Sequence, residues 1–254
     1  MSRDIGQTHI DRPILICTPT WNKAEFLART LQSLALDCDP ELYHHVIIDN
    51  SSADDTAQVC QSFGVERIYN PNNVGIAAAL NQAVVMLRPS QYFMKLDDDI
   101  TPLGAGWMEA MLKAMKADRI GGVALSRLGR DDEQLANDTV TSNGEWLVPS
   151  GEQWWTNCAL YRYEAVQDLG SFWQPTRYGF EDILTGARLR KLGWKTVYLP
   201  AYRIVHEGCW SRRRENKEYI AWKAQERRAA GKIDKILAEI ESGKRPAYIP
   251  LNVA

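Results

Sequence analysis

The feature that most constrains this 254-residue chain is a repeated alternation of two hydrophobic rhythms. Ile14-Leu15-Ile16-Cys17, Val46-Ile47-Ile48, Arg67-Ile68-Tyr69 and Tyr92 to Leu96 are runs too short for helices. The first two, apolar throughout, read as buried strands, and the other two as a brief third and a fourth strand. Between them Ala24, Leu27, Leu31 and Leu34, and later Ala77, Leu80, Val84 and Leu87, recur at helical spacing. Asn22 with Glu25 reads as a helix cap, and Gly64 and Pro89 as stops. Strand, loop and helix in turn predict an open, mostly parallel α/β sheet with helices on both faces. In such sheets ligands bind beyond the carboxyl ends of the strands. The polar clusters after Cys17, Ile48 and Leu96 are therefore expected to line one crevice.

The second half is less regular. The spacing predicts a helix near Gly106 to Ala117, a strand over Gly122–Leu125 and a long loop or hairpin over 126–153. A strand over Trp155–Tyr161, a short helix over Tyr163–Leu169, a helix over Ile183–Leu192 and a strand over Lys195–Leu199 follow. From Glu215 to Glu241 the pattern predicts one helix, and a tail from Gly243. No apolar run approaches the ~20 residues that span a bilayer, and Met1 to Arg12 lacks the character of a secretory signal. A cytoplasmic location is the expectation. Five scattered cysteines without a C-x-x-C pair argue against a zinc knuckle or disulfide framework. The net charge of −2 divides unevenly, because residues 212–245 carry 11 Lys/Arg against 6 Asp/Glu, a net +5. Such a stretch suits phosphate, a membrane surface or nucleic acid, and equally a solvated helix.

The strongest chemical signal is Asp97-Asp98-Asp99. Three adjacent carboxylates at the end of a buried strand repel one another and resist desolvation, so a compensating cation is expected. Oxygen ligands select Mg2+ or Mn2+, commonly shared with substrate phosphates. Asp49, at another strand end, is suited to accept hydrogen bonds from a nucleobase or ribose. Asn70 to Gly75, with Asn81 on the next helix, forms a turn whose glycine permits close backbone approach. Glu181 and Asp182 open a helix, where acids serve the dipole or act as a general base. His206 lies near Ser211-Arg212-Arg213-Arg214, a cationic run suited to a diphosphate.

Thr18-Pro19-Thr20-Trp21-Asn22, Asp49 to Asp54, Asn70 to Gly75 with Asn81, the Asp97–Asp99 triplet, Glu181-Asp182 with Arg188 to Gly193, and His206 occur in an order that resembles family 2 glycosyltransferases of the GT-A fold. The resemblance runs from about residue 13 to 212. It implies a metal-dependent, inverting transfer from a nucleotide-diphosphate sugar to a hydroxyl acceptor. Thr18, Pro19 and Asp49 would then hold the nucleobase, with Asn73 and Gly75 bordering the nucleotide. Asn22, Asp98 and Arg212 join this donor-binding set, as does Asp97, which would contact the ribose or the ion. Asp97, Asp99 and His206 would hold Mn2+ or Mg2+. Asp182 would be the catalytic base, Glu181 would shape the acceptor site, and Trp154 and Trp155 would form the acceptor pocket. The implied division is a donor half over 13–100, an acceptor half over 101–212 and a basic helical extension over 213–254. Asp55 departs from the family pattern, which has glycine there. Two alternatives stay open: a sugar-phosphate nucleotidyltransferase, and a non-catalytic carbohydrate-binding protein of the same fold.

Overall fold

The computed structural model describes residues 12–128, 140–142, 145–150, 154–207 and 217–251. The first half runs β1 (Ile14–Thr20), α1 (Ala24–Asp37), β2 (Tyr43–Asp49), α2 (Thr56–Phe63), β3 (Glu66–Tyr69), α3 (Ile76–Val84) and β4 (Tyr92–Leu96). The second half runs β5 (Ile100–Leu103), α4 (Trp107–Ala114), β6 (Ile120–Arg127), β7 (Val140–Ser142), β8 (Glu145–Pro149), β9 (Cys158–Arg162), α5 (Tyr163–Leu169), α6 (Glu181–Lys191) and β10 (Lys195–His206). Two helices follow, α7 (Lys217–Ala229) and α8 (Ile233–Glu241).

The sheet has the order β3-β2-β1-β4-β9-β6-β10-β8-β7, with β5 paired to β10. From β3 to β4 all pairings are parallel. Beyond β4 the sheet is mixed, because β9 runs antiparallel to both β4 and β6. The parallel half bears out the alternation in the sequence, and its inner strands β1, β2 and β4 are largely apolar on both faces for a visible reason. Ile14, Ile16, Met94 and Leu96 pack against Met108, Met111 and Met115 on one side. Leu15, Cys17, Val46, Ile48 and Phe93 pack against Leu80, Val84, Val166 and Leu169 on the other. Successive strand residues point to opposite faces, so a strand sandwiched between helices carries apolar residues on both. Strand order reverses at β1, which lies between β2 and β4; this switch point opens a crevice at the strand ends.

Three elements differ from the sequence expectation. β5 contains Pro102 and lacks an apolar run, yet it pairs antiparallel with the end of β10, matching Ile100 to His206. β10 continues past Leu199 through Pro200, with a register shift against β6 between Leu199 and Arg203. The single helix expected over Glu215–Glu241 is two, broken where Gly231 adopts φ 74°. Nor are these two helices a detached extension. α8 packs Ile240, with Ile236 and Leu237, on Leu184 and Ala187 of α6. The buried Arg188 guanidinium donates to the carbonyls of Leu169 (2.7 Å), Ser171 (2.7 Å) and Ala247 (2.6 Å), which pins the following segment to the body. Among the described residues, no helix is long and apolar enough to cross a membrane.

Candidate active site

The carboxyl ends of β1, β2 and β4 carry the polar clusters, and two loops there are stitched together. Asn22 sits in the left-handed region (φ 54°), and its Oδ1 accepts from the Ala53 N–H at 2.7 Å. Its own N–H donates to Ser52 Oγ at 2.9 Å. The expected Asn22 cap of α1 is not formed. Instead Asp54, from the loop after β2, accepts from the Ala24 N–H at 2.9 Å and from Thr56 Oγ1 at 2.6 Å. A cap donated by a neighbouring loop satisfies the same orphan N–H and fixes the two loops together.

Asp97, Asp98 and Asp99 follow β4 and separate into distinct surroundings. One ligand atom from each of Asp97, Asp99 and His206 lies within 4.8 Å of the others. Asp99 is buried, with Oδ1 at 3.0 Å from His206 Nε2 and Oδ2 at 2.6 Å from Lys23 Nζ. The pairing of β5 with β10 brings His206 to this position, aided by the Glu207 N–H donating to the Asp99 carbonyl at 2.8 Å. Burial opposes ionisation of Asp99, but Lys23 and His206 outweigh it and hold the carboxyl far below the usual carboxylate range. Asp98 turns inward, accepting from Thr20 Oγ1 at 2.8 Å and facing Lys23 Nζ at 3.4 Å. Burial pushes its carboxyl up, partly offset by Lys23. Two carboxylates and an imidazole converging this closely form a donor set that fits Mn2+ or Mg2+.

A second cluster joins this one from below. Lys95 is fully buried in β4, and its Nζ meets Asp97 Oδ1 at 2.8 Å, Glu181 Oε1 at 3.4 Å and the Thr156 carbonyl at 3.0 Å. Burial alone would discharge this ammonium. Asp97, Glu181 and Asp182 overcome that and raise its pKa above the ordinary lysine value. The other oxygen of Asp97 accepts from Asn157 Nδ2 at 2.7 Å. Glu181 and Asp182 form the first turn of α6, and both are buried. Asp182 Oδ1 accepts from the Ile183 N–H at 2.8 Å. Burial, then the neighbouring Glu181, push the Asp182 carboxyl up to about 7, with Lys95 pulling the other way.

Several residues expected to meet ligand are otherwise engaged. Thr18 is a correction: its side chain is fully buried and bonds His45 Nε2 at 2.9 Å, so strand alternation aims it into the protein. Pro19, on the opposite face, stays partly exposed. Trp154 is the second correction. It is wholly buried, packs edge-on against Tyr161 with centroids 5.4 Å apart, and donates from Nε1 to the Val197 carbonyl at 3.3 Å. Gly122 is the residue that makes room for it, since a Cβ there would lie 2.2 Å from the indole. Trp155 is partly exposed, with the Arg127 guanidinium 4.9 Å over its ring. Asp49 is buried, and its oxygens accept from Arg67 Nε (2.8 Å), Arg67 Nη2 (2.6 Å) and the Ser52 N–H (2.8 Å). Asn73 accepts from the Gly75 N–H at 3.0 Å, closing the turn before α3. Arg212 lies outside the described residues.

Lys23, Thr20 and Lys95 are site residues that the sequence reading missed. Lys95 had a signal: it is the one charged residue in the buried run Phe93-Met94-Lys95-Leu96. Lys23 and Thr20 had none, because their partners lie 76 and 78 residues away.

A parallel half carrying carboxylates and a histidine at its switch point places this chain among open α/β sheets with a candidate ligand crevice at the strand ends. Residues 15–180 match the family model for glycosyl transferase family 2, and the chain belongs to that family. It is 24% identical over 203 residues to the cellulose synthase 1 catalytic subunit (UDP-forming) of Komagataeibacter xylinus, covering 72% of this chain and 27% of that one. The chain thus spans only about a quarter of that relative. It is also 24% identical over 243 residues to the N-acetylglucosaminyl-diphospho-decaprenol L-rhamnosyltransferase of Mycobacterium tuberculosis, covering 80% of this chain and 78% of that one. Among solved structures, the mannosyltransferase PcManGT of Pyrobaculum calidifontis, in complex with GDP-Man and Mn2+, superposes with a TM-score of 0.66. That match has 18% identity and covers 83% of this chain and 59% of the other. S. aureus TarS 1-349 in complex with UDP superposes with a TM-score of 0.60 at 16% identity, covering 75% of this chain and 59% of that one. The GT-A-type fold is therefore shown, together with membership of glycosyl transferase family 2.

Proposed function

We propose that this enzyme transfers a sugar from a nucleoside-diphosphate donor to a hydroxyl acceptor with inversion, Asp182 serving as general base. The observation that carries the reading is the chain of contacts from Glu181, the neighbour of Asp182 in the buried first turn of α6, through Lys95 to Asp97 of the Asp97–Asp99–His206 set. It holds a candidate base and a candidate diphosphate site in fixed relation, which a displacement reaction needs.

Asp97, Asp99 and His206 would hold Mn2+ or Mg2+, which when bound neutralises charge developing on the leaving diphosphate. Lys23 balances Asp98 and Asp99 and lies where it too can face the diphosphate. Pro19, the stitched loops at Asn22 and Asp49, and the Asn73–Gly75 turn would frame the nucleotide. Thr18 contributes backbone alone. Asp182 would take the proton of the incoming hydroxyl. Its raised pKa makes it a stronger base than an exposed carboxylate, with the acid limb of turnover set near neutrality. Trp155 remains the aromatic candidate for acceptor contact. The curated rhamnosyltransferase relative acts, by its name, with a diphospho-decaprenol-linked sugar. An acceptor carrying phosphate would give the net +5 of residues 212–245 a partner.

The test is release of nucleoside diphosphate from UDP-glucose and GDP-mannose with Mn2+ present. Turnover that falls ~10²–10⁴-fold in Asp182→Asn supports the base assignment; full activity in that variant removes it.

A further inference from the structure

The family match ends at residue 180, yet the segment just before the proposed base is gripped by a residue far beyond it. Arg177 is held through its main-chain N–H and carbonyl and through its side chain. Its N–H donates to Glu226 Oε2 at 2.9 Å, and its Nε and Nη2 donate to Glu226 Oε1 at 3.1 and 2.6 Å. Its carbonyl accepts from the Ile76 N–H at 3.3 Å, the first residue of α3. Thr176 Oγ1 adds a bond to the Glu226 carbonyl at 3.3 Å. Gly75 is tightly fitted against the same point, since a Cβ there would lie 2.7 Å from the Arg177 backbone. The segment therefore lies clamped between the Asn73–Gly75 turn and helix α7.

Two further observations show why a clamp is needed. Gly179 and Phe180, immediately before Glu181, have φ of 93° and 70°. An aromatic residue in the left-handed region is strained and persists only where its surroundings over-determine it. Trp222, one turn before Glu226, packs against Tyr178 at 5.6 Å and against Trp21 at 4.9 Å between ring centroids. Trp21 belongs to the loop after β1. Helix α7 thus touches the donor-side loop and the base-bearing segment together.

We propose that Glu226 is a positioning residue of the transferase: through Arg177 it fixes residues 173–180, and with them the start of α6, against the Gly75 turn. A bond between exposed side chains would only tether α7. The bond from the Arg177 N–H fixes the main chain itself, and a carboxylate accepting from both backbone and guanidinium is among the stronger arrangements available. The inference rests on the reading of Asp182 as base.

The experiment compares the full-length wild type with Glu226→Ala, Glu226→Gln and, as a control within the same extension, Glu239→Gln, which loosens the Glu239–Arg245 pair. Hydrogen exchange is followed for residues 75–80 and 173–182. Nucleoside diphosphate release is followed with whichever of UDP-glucose and GDP-mannose the wild type turns over. In Glu226→Ala both segments are expected to exchange about tenfold faster or more, while β1, β2 and β4 keep their protection. Turnover is expected to fall about ten- to a hundredfold, the size expected for lost charge-assisted hydrogen bonds, through kcat with donor KM within about twofold. Glu226→Gln, which keeps an acceptor for the Arg177 N–H, should lie between, and Glu239→Gln should match wild type. Unchanged exchange at 173–182 in Glu226→Ala, or faster exchange with undiminished kcat, overturns the proposal. Full activity of Asp182→Asn would remove the base reading while leaving the exchange result standing, so the two failures are distinct.

Discussion

Asp182→Asn should make the protein more stable above neutral pH while stopping its turnover. The carboxyl is buried beside Glu181, and its pKa rises from 3.8 to about 7 on folding. A carboxyl that binds its proton more tightly in the folded state lowers stability as pH rises from its unfolded value through its folded one. The cost is absent below pH ~4 and complete above pH ~7. Three pKa units correspond to about 4 kcal/mol at pH 8, and the integral falls below about 2 kcal/mol at pH 5. Both figures are upper bounds, because Asn must still meet the Ile183 N–H and Glu181 relaxes once its neighbour is neutral. Urea unfolding in EDTA at pH 8 and pH 5 measures the difference. The expected result is a variant more stable than wild type at pH 8, with the gap at least halved at pH 5. A variant less stable at pH 8, or a gap independent of pH, refutes the reasoning.

Other expectations follow from the same network and its surroundings. Lys95→Met leaves Asp97 and Glu181 without their buried partner and should cost ~3–5 kcal/mol in urea unfolding at pH 8; a loss within experimental scatter would show that the network does not matter. Gly75→Ala places a methyl 2.7 Å from the Arg177 backbone at φ 87°, so a loss of ~1–3 kcal/mol and weaker donor binding are expected by melting and titration calorimetry. Trp154→Ala should lower stability by ~3–5 kcal/mol as a core truncation. Trp155→Ala should leave the melt nearly unchanged and raise acceptor KM; the reverse pattern would restore Trp154 as the contact residue.

The parallel half was legible because its inner strands announce themselves: Ile14 to Cys17 and Val46 to Ile48 are apolar throughout, and turns at Gly64 and Gly75 bound the helices. β5 was not, since Thr101 and Pro102 carry no strand pattern and only pairing with β10 makes them one. The same pairing explains how His206 reaches Asp99 across 107 residues. The acids of the site were legible as unlikely clusters at strand ends. Their counter-charges were not, because which lysine meets which carboxylate depends on register and crossover. Thr18 and Trp154 show the converse limit. Motif position alone does not say which way a side chain faces, and both face the interior.

The division of labour inside the Asp97–Asp99 triplet also carries a consequence for the C-terminal helices. Asp97 is tied to α6 through Lys95, the segment before α6 is tied to α7 through Glu226, and α6 packs on α8 through the Ile240 cluster. Residues beyond the family match thus contact the segments that carry the candidate site.

Mn2+ titration of the metal-free full-length chain, followed by electron paramagnetic resonance, tests the central claim most directly. One ion bound per chain is expected, with affinity lost in Asp99→Asn, weakened in His206→Ala and kept in Asp49→Asn. Equal binding by wild type and Asp99→Asn would contradict the account.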